Sequence, residues 1–122
     1  MELHESAEDY LEAILMLREE KGMARSVDVA EKLGVSKPSV SVAMKKLREN
    51  GYLMPEDGMG LNLTQEGLAV ASRVYERHRV LTEYLMELGV DGKIARADAC
   101  KMEHDLSEET YQAIKRQVQK RV

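Results

Sequence analysis

Three side chains towards the C-terminal end of the sequence have the types and the spacing of metal ligands. Cys100, Glu103 and His104 stand at positions i, i+3 and i+4 of the stretch Ala99–Leu106. If that stretch is helical, a thiolate, a carboxylate and an imidazole project from one face within reach of one ion. Three such ligands do not close a coordination shell alone, so the pattern predicts a metal half-site completed by other parts of the chain.

Two other segments offer the missing ligands. Asp9 and Glu12 stand at i and i+3 of a predicted helix near the N-terminus, and His78 lies in the middle of the chain. Simpler interpretations stay open: a helix cap and a solvated carboxylate for Asp9 and Glu12, and a core or interface residue for His78. A site built from all three segments would hold the fold together when metal is present.

The elements that must position these residues are mostly helical. Apolar residues recur at helical spacing, and Gly or capping residues bound each run. This pattern predicts a helix from Ser6 to about Lys21, a helix of more than twenty residues between Thr64 and Gly89, and two short helices over 93–105 and 107–119.

The stretch from Ser26 to Leu47 predicts a helix-turn-helix. A short helix turns Ala30 and Leu33 inward, a tight turn follows at Gly34, and a second helix begins at a serine cap with proline in its first turn. The second helix is expected to approach base edges with its short residues and phosphates with its basic ones. The alternative is an ordinary surface helix pair. The predicted DNA-binding residues are Ser36, Lys37, Pro38, Ser39, Ser41, Lys45, Lys46 and Arg48.

Two short strands, 52–55 and 61–64, are predicted to flank a Gly-rich turn and form the β-hairpin wing of a winged helix-turn-helix. Its tip, Glu56-Asp57-Gly58, is acidic, so we expect a minor role in DNA affinity. The predicted fold is mostly α, with a winged helix-turn-helix DNA-binding domain over residues 1–72 and an all-helical metal-binding and dimerisation domain over residues 73–122. The second domain is too small for an independent core, so we expect it to pack against a second copy.

Composition and charge limit the classes of protein to which the chain can belong. The 122 residues carry a net charge of −4, which argues against a non-specific nucleic-acid coat protein, but residues 36–50 hold four bases against one acid. A single cysteine excludes an internal disulfide. No apolar run has membrane-spanning length and the N-terminus is acidic, unlike a signal peptide, so we expect a cytoplasmic protein without a membrane partner.

With these elements in place, the chain resembles the diphtheria toxin repressor family of metal-dependent transcriptional repressors. It is most similar to the manganese-responsive branch, which lacks a C-terminal SH3-like domain, and we expect no such domain after Val122. Five stretches match family signatures in order: Ser6–Glu12, Glu19–Arg25, Gly60–Thr64, Val74–His78 and Glu103–Ser107.

The resemblance implies a ligand set and a function. The ligands would be Asp9, Glu12, His78, Glu103 and His104, with Cys100 where the manganese branch has glutamate and the iron-responsive branch has cysteine. A metal-bound homodimer would bind double-stranded operator DNA and repress genes for metal uptake. The carboxylates and imidazoles suit Mn²⁺ or Fe²⁺, whereas a thiolate favours softer ions, and Zn²⁺ or Co²⁺ can substitute in vitro.

Two other functions are open at this stage. The chain could be a winged-helix repressor that senses a small organic ligand and has a purely structural metal site. It could also be a metalloenzyme, since three protein ligands plus water form a catalytic arrangement. The sequence shows no separate general base, phosphate loop or nucleophile motif, and catalysis does not explain a helix-turn-helix, so we expect neither an enzyme nor a protein substrate.

Overall fold

The computed structural model describes residues 5–56, 58 and 60–120. Residues 1–4 of the acidic N-terminus and Asp57 of the predicted wing tip lie outside them. Within the described part, helices account for most of the chain, which confirms the mostly α prediction, and none of them has the length and apolarity to cross a membrane. The helices are α1 (Glu5–Lys21), α2 (Ser26–Leu33), α3 (Lys37–Glu49), α4 (Gln65–Glu87), α5 (Gly92–Asp105) and α6 (Glu108–Gln119).

The chain divides after Arg73 into two compact units, and α4 contributes residues to both. The core of the first unit lies among α1, α2, α3 and the start of α4. Each of these helices presents one apolar stripe to it, as amphipathic helices do. The buried members are Leu11, Ile14, Leu17, Ala24, Val29, Ala30, Val40, Met44, Leu47, Leu53, Leu61 and Ala71.

The helix-turn-helix forms as the sequence predicts. Gly34 ends α2 in the left-handed conformation, with φ of 66°, and its N–H donates to the carbonyl of Ala30. Ser36 then caps α3 by accepting a hydrogen bond from the backbone N–H of Ser39 at 3.2 Å. Ala30 is buried, whereas Leu33, the other residue predicted to point inward, is only half-buried.

The wing differs from the prediction. The expected strands reduce, among the described residues, to an isolated antiparallel bridge between Leu53 and Leu63. Two features stop the ladder. Pro55 has no N–H to donate, and the N–H of Leu61 donates to the carbonyl of Ala24 at 2.7 Å rather than to the facing segment.

The second unit is built from the rest of α4 with α5 and α6. Asp91 caps α5 by accepting from Lys93 N at 3.2 Å, and Ser107 caps α6 by accepting from Thr110 N at 3.1 Å. With these caps, α5 and α6 begin close to residues 93 and 107, where the sequence predicts their starts. The buried apolar residues of this unit are Val74, Leu81, Ala95, Ala99, Tyr111 and Val118.

One glycine gives a direct test of the packing in the first unit. Gly67 lies in the first turn of α4, where a Cβ would overlap the carbonyl oxygen of Tyr52. We expect Gly67→Ala to lower the free energy of unfolding by about 1–3 kcal/mol because the backbone must shift. Urea denaturation followed by circular dichroism measures the change.

The matched control is Gly92→Ala, also in the first turn of a helix. A Cβ at Gly92 would meet Arg96 Nη1 at 3.5 Å, an ordinary contact. Since alanine is the better helix former, this variant should be unchanged or slightly more stable. Equal denaturation midpoints for the two variants would contradict the packing described.

Candidate metal centre

Two helices of the second unit carry four of the predicted metal ligands. His78 lies on α4, and Cys100, Glu103 and His104 lie on α5. Along α5 the buried residues are Ala95, Ala99 and Glu103, which recur every fourth position. Glu103 therefore continues the stripe of α5 that faces the interior, and its carboxylate is directed inward by the helix itself.

The donor atoms of these residues converge. A ring nitrogen of His78, Cys100 Sγ and a carboxylate oxygen of Glu103 all lie within 4.8 Å of one another. The carboxylate has an imidazole on each side: His78 Nδ1 lies 3.4 Å from Oε2, and His104 Nε2 lies 3.5 Å from Oε1. Two ligands bonded to one ion at about 2.1 Å are separated by about 3.0–3.4 Å, depending on the angle between the bonds. The two distances lie at or just above the upper end of this range, close to the spacing of donors that share an ion.

The ligand side chains of this cluster are largely buried, and burying a carboxylate costs free energy. The Glu103 side chain is 1% exposed, and those of His78 and His104 are 18% and 5% exposed. A buried carboxylate is costly unless positive charge lies close to it. Imidazole nitrogen, carboxylate oxygen and thiolate sulfur form a donor set for a transition-metal ion, whereas Ca²⁺ and Mg²⁺ prefer oxygen alone. The residues present fit a divalent transition metal.

An arginine that the sequence analysis missed supports the cluster. Arg77 precedes His78 on α4, is buried, and donates hydrogen bonds to the carbonyls of Glu103 at 3.0 Å and Leu106 at 3.1 Å. Its guanidinium lies 4.7 Å from the ring centre of Tyr111. Arg77 therefore satisfies carbonyls at the C-terminal end of α5, beside the ligands.

The ring beneath the arginine remains an uncharged phenol. Burial raises the pKa of Tyr111 to about 12, and the Glu76 carboxylate contributes in the same direction. The signal for Arg77 in the sequence is its spacing. It stands at i+3 from Val74 and four residues before Leu81, both buried, so it occupies a core position of α4.

Asp9 and Glu12 lie one turn apart on α1, in the first unit. The helix begins at Glu5, which puts Asp9 beyond the first turn, and Glu12 is 6% exposed. The simpler interpretations, a cap and a solvated carboxylate, are therefore wrong. The structure brings His78, Cys100 and Glu103 together in the second unit, with His104 beside the same carboxylate. The membership of Asp9 and Glu12 in the site stays a prediction.

Most of the predicted DNA-binding residues are exposed on α3 and the turn before it. These are Ser36, Lys37, Pro38, Ser39, Ser41, Lys45 and Lys46. Arg48 differs, because it is half-buried with its Nη2 atom 3.9 Å from a carboxylate oxygen of Glu56. The sequence analysis also left out Val42, which is 56% exposed on this helix.

Replacing Arg77 tests its support of the cluster. We expect Arg77→Met to lower the free energy of unfolding by about 2–3 kcal/mol, since charged hydrogen bonds to two carbonyls are lost. Arg79→Met is the matched control, because Arg79 is exposed and stacks on Tyr75 at 5.0 Å. It should cost less than about 1 kcal/mol. Chemical denaturation measures both, and a larger loss in the control would refute the assignment.

Comparison with known protein families covers nearly the whole chain. Residues 2–61 match the model "Iron dependent repressor, N-terminal DNA binding domain". Residues 64–121 match "Iron dependent repressor, metal binding and dimerisation domain". The two descriptions support DNA and a second copy of the chain as partners and a divalent metal as cofactor.

Curated relatives agree with the family models. The chain is 43% identical over 116 residues to the transcriptional regulator MntR of Escherichia coli O6:H1, covering 95% of this chain and 75% of that protein. It is 43% identical over 102 residues to the HTH-type transcriptional regulator MntR of Bacillus subtilis strain 168, covering 84% and 72%. Both are transcriptional regulators, so the prediction that the chain is not an enzyme is confirmed.

Solved structures show the same fold. The manganese regulator SloR superposes with a TM-score of 0.81 at 30% identity, over 93% of this chain and 53% of that one. A manganese-dependent transcriptional repressor in complex with manganese gives 0.79 at 29% identity, over 92% and 52%. The chain thus spans about half the length of these structures. The resemblance found in the sequence is confirmed, and the chain belongs to the iron-dependent repressor family of metal-dependent transcriptional regulators.

Proposed function

We propose that this chain senses Mn²⁺ or Fe²⁺ and that its metal-bound homodimer binds operator DNA to control genes for metal uptake. The observation that carries the proposal is the Glu103 carboxylate, buried between two imidazoles and near a thiol in a chain whose other unit is a helix-turn-helix. Because the proposed target is operator DNA, we place the protein in the cytoplasm.

The proposed ligands are Asp9, Glu12, His78, Cys100, Glu103 and His104. Asp9 and Glu12 are included because they stand one turn apart on α1 and match the family pattern. A bound divalent ion supplies positive charge that offsets the carboxylates. Since ligands from both units then share one charge, ordering of the chain is linked to metal binding. Release of metal leaves Asp9, Glu12 and Glu103 as like charges that repel one another.

The ligand at position 100 sets the preference among metals. Glutamate would complete an oxygen-rich site suited to Mn²⁺, whereas the thiolate of Cys100 shifts the preference towards Fe²⁺, and towards Zn²⁺ or Co²⁺ in vitro. Cys100 is half-buried. Two of the solved structures named above, SloR and the manganese-dependent repressor, belong to manganese regulators.

The proposed dimer and its DNA contacts follow from surfaces within each unit. In the second unit Met86, Leu88 and Ile94 are 49%, 63% and 56% exposed, an apolar surface that a second copy can cover. In the first unit α3 presents its three lysines outward. Metal binding is proposed to fix the two recognition helices of the dimer about 34 Å apart, one turn of DNA, or a multiple of it.

Metal titration of ligand variants tests the site. Anaerobic calorimetry of chelator-stripped protein should show tight binding of Mn²⁺ or Fe²⁺, and His104→Ala and Asp9→Ala should each weaken it at least about tenfold, or 1.4 kcal/mol. Asp98→Ala is the control, because Asp98 is an exposed acid on the same helix as Cys100. Circular dichroism should show that all variants are folded.

The outcomes separate the functions considered. Unchanged affinity in both His104→Ala and Asp9→Ala would refute the ligand set. Metal binding without any effect of chelator on DNA binding would favour a regulator that senses an organic ligand and keeps the metal for structure.

Cobalt provides a separate test of Cys100. It is the single cysteine of the chain, so any thiolate-to-cobalt charge-transfer band in the near-ultraviolet must come from it. The band should be present in the Co²⁺-loaded protein and absent in Cys100→Ser. Cys100→Glu should also lack it and should bind Mn²⁺ more tightly relative to Co²⁺ than the unaltered chain does. Stoichiometric Co²⁺ binding without the band would exclude Cys100 as a ligand.

A further inference from the structure

One apolar side chain stands in the middle of the surface that α3 turns away from the core. Val40, Met44 and Leu47 form the buried side of this helix. Val42 points to the opposite side and is 56% exposed. Single exposed valines are common on protein surfaces, so its neighbours and its location decide whether it has a role.

The neighbours of Val42 on the helix surface are suited to a DNA groove. At 100° per residue, Lys45 and Lys46 lie about one turn further along, one on each side of the direction of Val42. Both lysines are exposed. When a recognition helix enters the major groove, flanking basic residues contact phosphates and the side chains between them face the base edges. Val42 occupies that central position.

Two hydroxyl groups at the start of α3 already form hydrogen bonds within the protein. Ser36 Oγ lies 2.8 Å from Ser39 Oγ and also accepts the backbone N–H of Ser39. Fewer hydroxyl donors and acceptors are therefore left for base edges. An apolar contact from Val42 becomes correspondingly more important to sequence discrimination.

The chemistry of the side chain selects one feature of DNA. Valine offers two methyl groups and neither a donor nor an acceptor. The C5-methyl of thymine is the apolar group that the major groove presents. Pro38, exposed one turn before Val42, extends the apolar surface.

We infer that Val42 determines specificity for DNA sequence by packing against thymine methyl groups of the operator. This inference rests on the proposed function. Removing a methyl from the base should then have the same effect as removing methyls from the protein. Uracil differs from thymine by this methyl alone, so it is the matched substitution in the DNA.

The experiment begins with a duplex selected by the Mn²⁺-loaded chain from a library with a randomised central segment. Each thymine of the selected site is then replaced by uracil, and affinity is measured by fluorescence anisotropy. At one or two thymines per half-site, uracil should weaken binding about fourfold per methyl, and about 15-fold when both half-sites are changed.

Protein variants combined with the thymine and uracil duplexes form a double-mutant cycle. Val42→Ala should bind thymine and uracil duplexes equally, at the affinity of the unaltered chain for uracil. Val27→Ala is the control, because Val27 is also exposed, at 45%, but lies on α2. It should keep the full preference for thymine.

Each contrary result has a distinct meaning. If every uracil duplex binds the unaltered chain as tightly as thymine does, the inference fails while metal-dependent DNA binding stands. If Val42→Ala still prefers thymine, another residue contacts the methyl and the inference also fails. If Mn²⁺ and Fe²⁺ promote binding of no duplex, the proposed function itself fails and the inference falls with it.

Discussion

The burial of the Glu103 carboxylate is the constraint on which the second unit depends. Helical spacing puts this residue in line with Ala95 and Ala99, so α5 cannot bury its small apolar residues without also burying the acid. The cost of that burial requires positive charge nearby. His78 and His104 stand on either side of the carboxylate at 3.4 and 3.5 Å, where they can share a cation with it. The folding of this unit is thereby linked to cation binding at its centre.

Arg77 stabilises the same region in a way that does not vary with conditions. A guanidinium keeps its charge at any ordinary pH. The Arg77 guanidinium donates hydrogen bonds to the carbonyls of Glu103 and Leu106 and lies over the ring of Tyr111. The backbone of the ligand-bearing turn is therefore held by a permanent charge, while the donor atoms remain directed at one another. Such prior ordering reduces the entropy that a ligand must remove on binding.

Sequence patterns predicted what depends on local spacing. The periodicity of apolar residues located the helices, and the i, i+3, i+4 spacing put Cys100, Glu103 and His104 on one face of α5. What sequence could not show depends on contacts between distant segments. The N–H of Leu61 bonds to Ala24 thirty-seven positions earlier in the chain, and this contact shortens the wing.

Side-chain type is a poor guide where a charged residue is buried or an apolar residue is exposed. Glu12 was open to interpretation as a solvated acid, yet it is buried, and Arg77 is buried although arginine rarely is. Val42 is the reverse case, an apolar residue that is 56% exposed. For Arg77 and Val42 the helical register indicated the environment correctly and the residue type did not.

The packing of the first unit bears on whether metal can control the formation of α3 or its placement. The recognition helix α3 depends on an apolar core and on the Ser36 cap, and none of the proposed ligands lies on α2 or α3. Metal binding therefore has no direct part in forming α3. Asp9 and Glu12 lie on α1, whose Leu11 and Ile14 belong to the same core as Val40 and Met44 of α3. Because packed cores transmit displacement with little compression, a ligand that holds α1 also holds α3, and regulation can act on the placement of a recognition helix that is already folded.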